Sequence, residues 1–274
     1  MAGASKANWS DLSIRIASAL VMAGLALVTA WWGGPLFVLF WFLAAAAVLC
    51  EWLFLIAAGR RDWLVVVLGV GLLAVSTLFA LSGQAGTTLL TVVGGAAVMG
   101  GLAWGRGLAQ PLLAAVAIPY AACVVLPVTL LRLDEPHGMR AIFVLFAIVW
   151  GSDVLAYFTG RTLGGPKLWP RVSPKKTWSG FIGGTVFAAA AAGLVGGSVV
   201  LVPIGAALAA ISQGGDLLES ALKRRFDAKD ASQLIPGHGG VMDRLDGFLA
   251  AALAALLIGL VHAGLHPAQG FIVW

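Results

Sequence analysis

Apolar residues run along this chain in stretches of about 20, broken by short clusters of Gly, Pro, Arg or Lys. Such a stretch is apolar on every side of a helix and is long enough to cross a ~30 Å hydrocarbon core. Read against its breaks, the pattern predicts nine spans, at about 14–32, 35–58, 63–81, 87–104, 110–131, 139–160, 178–202, 203–223 and 246–265. The expected fold is therefore an all-α polytopic membrane bundle. The first five spans and the last read as ordinary hydrophobic helices, whereas the sixth to eighth carry ionisable residues. Only Pro203 separates the seventh from the eighth. The first span is too long for a cleavable leader, ends in Trp31-Trp32 and lacks a small-residue cleavage site.

Composition agrees with lipid as the solvent. The chain is 60% hydrophobic and 11% charged, with mean hydropathy +0.97, whereas soluble domains carry roughly a quarter charged residues. Cys50 and Cys123 lie in separate apolar runs, so no disulfide framework is expected. Spacings such as Gly180–Gly184 and Gly193–Gly197 read as close helix packing. Basic residues fall on alternate breaks: Lys6 and Arg15, Arg60 and Arg61, Arg106, then the two late segments from Arg161 to Lys176 and from Lys223 to Arg244. The positive-inside rule then places the N-terminus and both late segments in the cytoplasm and the C-terminus outside. The chain divides into a scaffold over residues 1–138 and a catalytic region over residues 139–274.

Most of the acidic residues lie between Asp153 and Asp246, and carboxylates near membrane depth usually mark function. Asp216, Glu219, Ser220 and Lys223 share one helical face at i, i+3, i+4 and i+7. Asp153, Tyr157 and Arg161 share another. Downstream, Pro236-Gly237-His238-Gly239-Gly240 is a constrained loop whose backbone N–H groups can approach an anion, followed by Asp243, Arg244 and Asp246. His238 reads equally well as a loop-shaping residue and as a hydrogen-bond partner of phosphate. Hard carboxylates suit Mg²⁺, which takes one or two of them and completes its shell with phosphate and water. Ser173-Pro174-Lys175-Lys176-Thr177 puts hydroxyls and paired lysines just before a helix expected near Trp178, an arrangement that holds phosphates.

Taken together, Ser220-x-x-Lys223-Arg224, Lys229-Asp230, Pro236-x-His238-Gly239-Gly240 and Asp243-Arg244-x-Asp246 resemble the signature of the phosphatidate cytidylyltransferase (CDP-diacylglycerol synthase) family. Ser152-Asp153, Ala156-Tyr157, the Ser173–Thr177 segment and Gln213-x-Gly215-Asp216-Leu217 resemble further motifs of that family in the same order. The likeness covers about residues 150–250; Val154 and Ser179 stand where the family often has Thr and Glu. The resemblance implies transfer of a cytidylyl group from CTP to phosphatidic acid, giving CDP-diacylglycerol and pyrophosphate in phospholipid biosynthesis. The implied partners are CTP, phosphatidic acid and membrane lipid, with no nucleic acid, and a homodimer is compatible with it. The implied location is a bacterial-type inner membrane with the site facing the cytoplasm.

On this reading Asp216 and Asp243 hold Mg²⁺, with Asp246 in support and a second cation allowed. Lys175, Lys176, Lys223, Arg224 and Arg244 neutralise phosphates. Ser173, Thr177, Ser220, Lys229, His238 and Asp153 complete the substrate-binding set. A CTP-dependent lipid kinase would need a base for an alcohol and is disfavoured by the full signature. A CDP-alcohol phosphotransferase would show an Asp-Gly-x2-Ala-Arg pattern that is absent. A transporter would not need two basic phosphate-type segments on one side.

Overall fold

A computed structural model of the protein describes residues 9–57 and 61–274. Lys6 and Arg60, both used in the charge-alternation argument, lie outside the described residues. Nine long helices, α1 (Trp9–Trp32), α2 (Gly34–Ile56), α3 (Trp63–Leu81), α4 (Ala85–Gly105), α5 (Pro111–Leu133), α6 (Gly138–Leu163), α7 (Trp178–Gly196), α8 (Leu201–Arg225) and α9 (Met242–Ala263), are followed by the short α10 (Pro267–Ile272). Among the described residues these nine are long and apolar enough to cross a membrane. Their outward faces carry Leu90, Leu112, Leu194 and Val261, each at least 70% exposed, a surface suited to acyl chains rather than water. The protein is a multi-pass membrane protein with an all-α bundle, as the hydrophobic pattern predicts.

Helix ends follow local chemistry. Asp62 caps α3 by accepting from the Leu64 and Val65 N–H groups. Its ion pair with Arg106 ties the start of α3 to the end of α4 and holds its carboxyl below the usual range. Thr177 caps α7, its Oγ1 accepting from Gly180 N at 3.2 Å. The break between the seventh and eighth spans is not at Pro203. Gly197 ends the helix in the left-handed region, and Pro203 lies in the first turn of α8, where a missing N–H breaks no helical bond. The basic segment from Arg161 to Lys176 leads into a two-stranded hairpin, β1 (Lys167–Trp169) against β2 (Ser173–Thr177), registered Lys167 to Thr177 and Trp169 to Ser173.

Packing is closest where glycine removes side chains. A Cβ on Gly180 would stand 2.7 Å from the Ala156 carbonyl oxygen, and one on Gly184 2.6 Å from that of Ser152, so α6 and α7 touch backbone to backbone. Gly193 faces Val202 across the turn, whereas its partner in the spacing, Gly197, is the cap. Between α8 and α9 the contact is reciprocal: Gly215 faces the Asp246 carbonyl and Gly247 that of Ser212. Two acid-bearing helices are thereby held at contact distance.

The bundle has two chemically different ends. At one, Asp134 accepts from the Ala268 and Gln269 N–H groups, fixing α10, and Arg132 donates to the Ala30 and Trp31 carbonyls. At the other lie the hairpin and the loop before α9. The topology is tested by replacing Cys50 and Cys123, both free thiols, and introducing Ser173→Cys or Gln269→Cys. An impermeant thiol reagent is expected to label the first from the cytoplasmic side only and the second from outside only. Labelling of both from one side would refute the arrangement.

Candidate active site

A cavity of about 1140 Å³ opens among α1, α2, α6, β2, α7, α8 and α9. One part of its wall is aromatic and aliphatic. Trp41 of α2 stacks on Phe248 of α9 at 4.9 Å between centroids, and Phe146 stacks on Trp150 within α6 at 4.6 Å. Ala19, Met22 and Ala23 of α1 extend this wall. The other part carries Asp153, Lys175, Lys176, Asp216, Arg244 and Asp246. Apolar and ionic chemistry thus share one space.

Each charged group has a defined place. Lys176 reaches Asp216 Oδ2 at 2.5 Å, and Ser220 Oγ donates to Asp216 Oδ1 at 3.3 Å, as the helical spacing predicts. Tyr157 and Arg161 meet at 2.6 Å on the same face of α6 as Asp153. Lys223 is buried and lies 2.5 Å from Asp243 and 3.2 Å from Glu219 Oε1. The latter contact is off the line of a hydrogen bond, and neither Glu219 oxygen accepts a well-aligned one. Asp243 is saturated: besides Lys223, its oxygens accept from Ala231 N at 2.9 Å and Gly240 N at 2.7 Å.

Magnitudes separate the two lysines. A pair with a quarter to a third of each side chain exposed, such as Lys176–Asp216, is worth about 0–1 kcal/mol and exchanges readily for another anion. Breaking a buried pair such as Lys223–Asp243 costs about 3–5 kcal/mol. Lys176 is therefore the lysine able to turn to a phosphate, and Lys223 is the one that holds an aspartate.

The remaining expected residues divide. Ser173 lies on β2, and the Thr177 hydroxyl is occupied as a helix cap with Ser179 beside it at 3.1 Å. Arg224, bonded to the Ala228 carbonyl, and Lys229 are exposed outside the cavity wall. His238 does line the cavity, but its Nδ1 lies 2.8 Å from Ser18 Oγ on α1. Burial, with the Arg244 guanidinium nearby, lowers its pKa, which favours the neutral ring.

Among the described residues no three His, Cys, Asp or Glu side chains converge on one point for an ion. Asp216, Asp243 and Asp246 nevertheless line one cavity with hard oxygens; Asp216 is the accessible donor, and Asp243 would ligate an ion only by giving up one of the contacts that now occupy it. That set fits Mg²⁺ completed by substrate phosphate and water rather than an all-protein cage.

Residues 13–261 match the profile of the Cytidylyltransferase family. The chain belongs to that family. Among its cytidylyltransferase relatives, the phosphatidate cytidylyltransferase of Brucella abortus biovar 1 (strain 9-941) is 42% identical over 261 residues, covering 93% of this chain and 95% of the relative. That of Bacillus subtilis (strain 168) is 43% identical over 125 residues, covering 43% of this chain and 46% of the relative. That of Haemophilus influenzae is 45% identical over 129 residues, covering 43% and 45%.

Two contributors to this cytidylyltransferase site come from helices read as plain scaffold. Ser18 meets the glycine loop, and Glu51 accepts from Ser232 Oγ and from the N–H groups of Val241 and Met242. A lone carboxylate inside an apolar span was the available signal for Glu51. Ser18, on a small-residue face, offered none.

Proposed function

We propose that this chain transfers the cytidylyl group of CTP to phosphatidic acid, giving CDP-diacylglycerol and pyrophosphate, at the cytoplasmic face of a bacterial-type inner membrane. The observation that carries the reading is the shared cavity, with an apolar wall suited to acyl chains beside an ionic wall suited to a triphosphate. The sequence relatives support the same activity.

The chemistry asks little of a general base. A phosphate monoester has a second pKa near ~6, so the lipid phosphate is a ready nucleophile at neutral pH. Its oxygen attacks the α-phosphorus of CTP, the bond from that phosphorus to the bridging oxygen breaks, and pyrophosphate leaves. Bringing two anions together is the main obstacle, and positioned charge removes it. Lys175, Lys176 and Arg244 face the cavity and neutralise phosphate, with Lys176 leaving Asp216 to do so. Lys223 acts through Asp243. Asp216 and Asp243, supported by Asp246, would hold Mg²⁺, which supplies charge neutralisation at the triphosphate.

Purified protein in detergent is expected to release pyrophosphate only when CTP, phosphatidic acid and Mg²⁺ are all present. CDP release with phosphorylation of a lipid alcohol would favour a kinase, and no nucleotide turnover would overturn the proposal. In the same assay Lys175→Ala with Lys176→Ala should raise KM for CTP about tenfold or more, the scale of a lost charge-assisted contact, with unchanged insertion. Unaltered CTP kinetics would return this hairpin to a topological role.

A further inference from the structure

Glu51 belongs to α2, nearly two hundred residues before the loop it touches, and is 4% exposed. Its carboxylate accepts from Ser232 Oγ at 2.6 Å, Val241 N at 2.9 Å and Met242 N at 2.7 Å. The N-cap residue of α9, Val241, makes no side-chain cap hydrogen bond. The unpaired N–H groups at its start, where the helix dipole is positive, are instead met by a carboxylate from another helix. The same oxygens explain Gly240. Its φ is not positive, so the backbone does not demand glycine, yet a Cβ there would stand 2.8 Å from both Glu51 oxygens.

We propose that Glu51 is a positioning residue for cytidylyl transfer: it anchors the loop and the first turn of α9, and so sets where Asp243, Arg244 and Asp246 present themselves to the cavity. The assignment rests on the function proposed above. Asp243 is one residue from Met242 and accepts from Gly240 N, so the backbone that Glu51 holds is the backbone that aims Asp243. Glutamate suits this place because it only accepts. Glutamine would keep one accepting oxygen and turn an NH₂ toward N–H donors, leaving at least one buried donor unmet.

The test compares Glu51→Gln, Glu51→Asp and Gly240→Ala in the full-length, detergent-purified protein. Glu51→Gln should lower kcat about 10- to 100-fold, the usual scale for losing a supporting partner of a site ligand, with KM for phosphatidic acid within about twofold. Amide exchange at Val241 and Met242 should rise at least about tenfold while that at Leu208 and Ala209, in the core of α8, stays unchanged. Glu51→Asp, still acceptor-only, should recover part of the turnover. Gly240→Ala, which pushes a methyl against an otherwise native Glu51, should reproduce both effects, and it decides the matter if Glu51 variants fail to insert. Wild-type kcat with unaltered exchange in Glu51→Gln or Gly240→Ala would overturn the proposal, as would exchange that rises equally throughout the bundle. Absence of turnover in the unmodified protein would count against the cytidylyl-transfer reading instead, and local exchange would still decide whether Glu51 anchors the loop.

Discussion

Asp216→Asn is expected to lower turnover about 10²–10³-fold, the typical consequence of removing one group from electrostatic catalysis, while leaving the fold intact. Asp216 is partly exposed on the cavity wall, and its bonds to Lys176 and Ser220 are of the kind an amide oxygen can partly keep. Asp243→Asn should cost at least as much, with an added stability loss. Both Asp243 oxygens already accept, so an amide NH₂ would face Lys223 or a backbone N–H. Because groups acting as one unit are non-additive, the double variant should turn over little more slowly than the worse single one. Asp227→Asn is the control: Asp227 is exposed beyond α8 with a positive φ that Asn tolerates, and activity should be unchanged. Turnover is measured at limiting Mg²⁺. Near-normal rates in Asp216→Asn would remove the proposed metal role from this residue and transfer it to Asp153 or Asp246, the other cavity carboxylates.

Lys223→Met should destabilise the protein by about 3–5 kcal/mol, because it leaves Asp243 and Glu219 buried beside each other without their shared cation. The readout is the unfolding temperature in detergent. Adding Glu219→Gln removes one of the two stranded carboxylates and should restore part of the loss. Activity should stay low in both, since Asp243 remains without its ammonium partner. An unchanged unfolding temperature together with a raised KM for CTP would place the Lys223 ammonium on substrate phosphate instead, the role first expected of it from the signature alone. The contrast with Lys176 is one of burial. Both lysines contact an aspartate at 2.5 Å, but only Lys176 has a substantially solvent-facing side chain.

Much of this was legible in the chain itself. Runs of about 20 apolar residues leave little choice of solvent or secondary structure, since each backbone polar group in lipid must be paired within its own helix. The i, i+4 spacings of Asp216 with Ser220 and Tyr157 with Arg161 are local, so helical geometry alone predicts their contacts. The start of α7 at Trp178, directly after Lys175-Lys176-Thr177, was likewise readable, because the onset of an apolar helix after a polar run is a local pattern. The hairpin was not anticipated, since strands of three and five residues on either side of Pro170 and Arg171 are too short to show an alternating pattern.

What the sequence by itself determined is the membrane bundle, its nine spans and the set of residues that carry the family's signature. What only the tertiary structure decided is the division of labour among them: Lys176 beside the cavity and Lys223 locked between carboxylates, Arg224 and Lys229 outside, and Glu51 of α2 holding the loop before α9. The reason is physical. A charged side chain's role depends on its burial and on which partner saturates it. Both are set by contacts between helices far apart in the chain, brought together by close approaches such as Gly215 against Asp246.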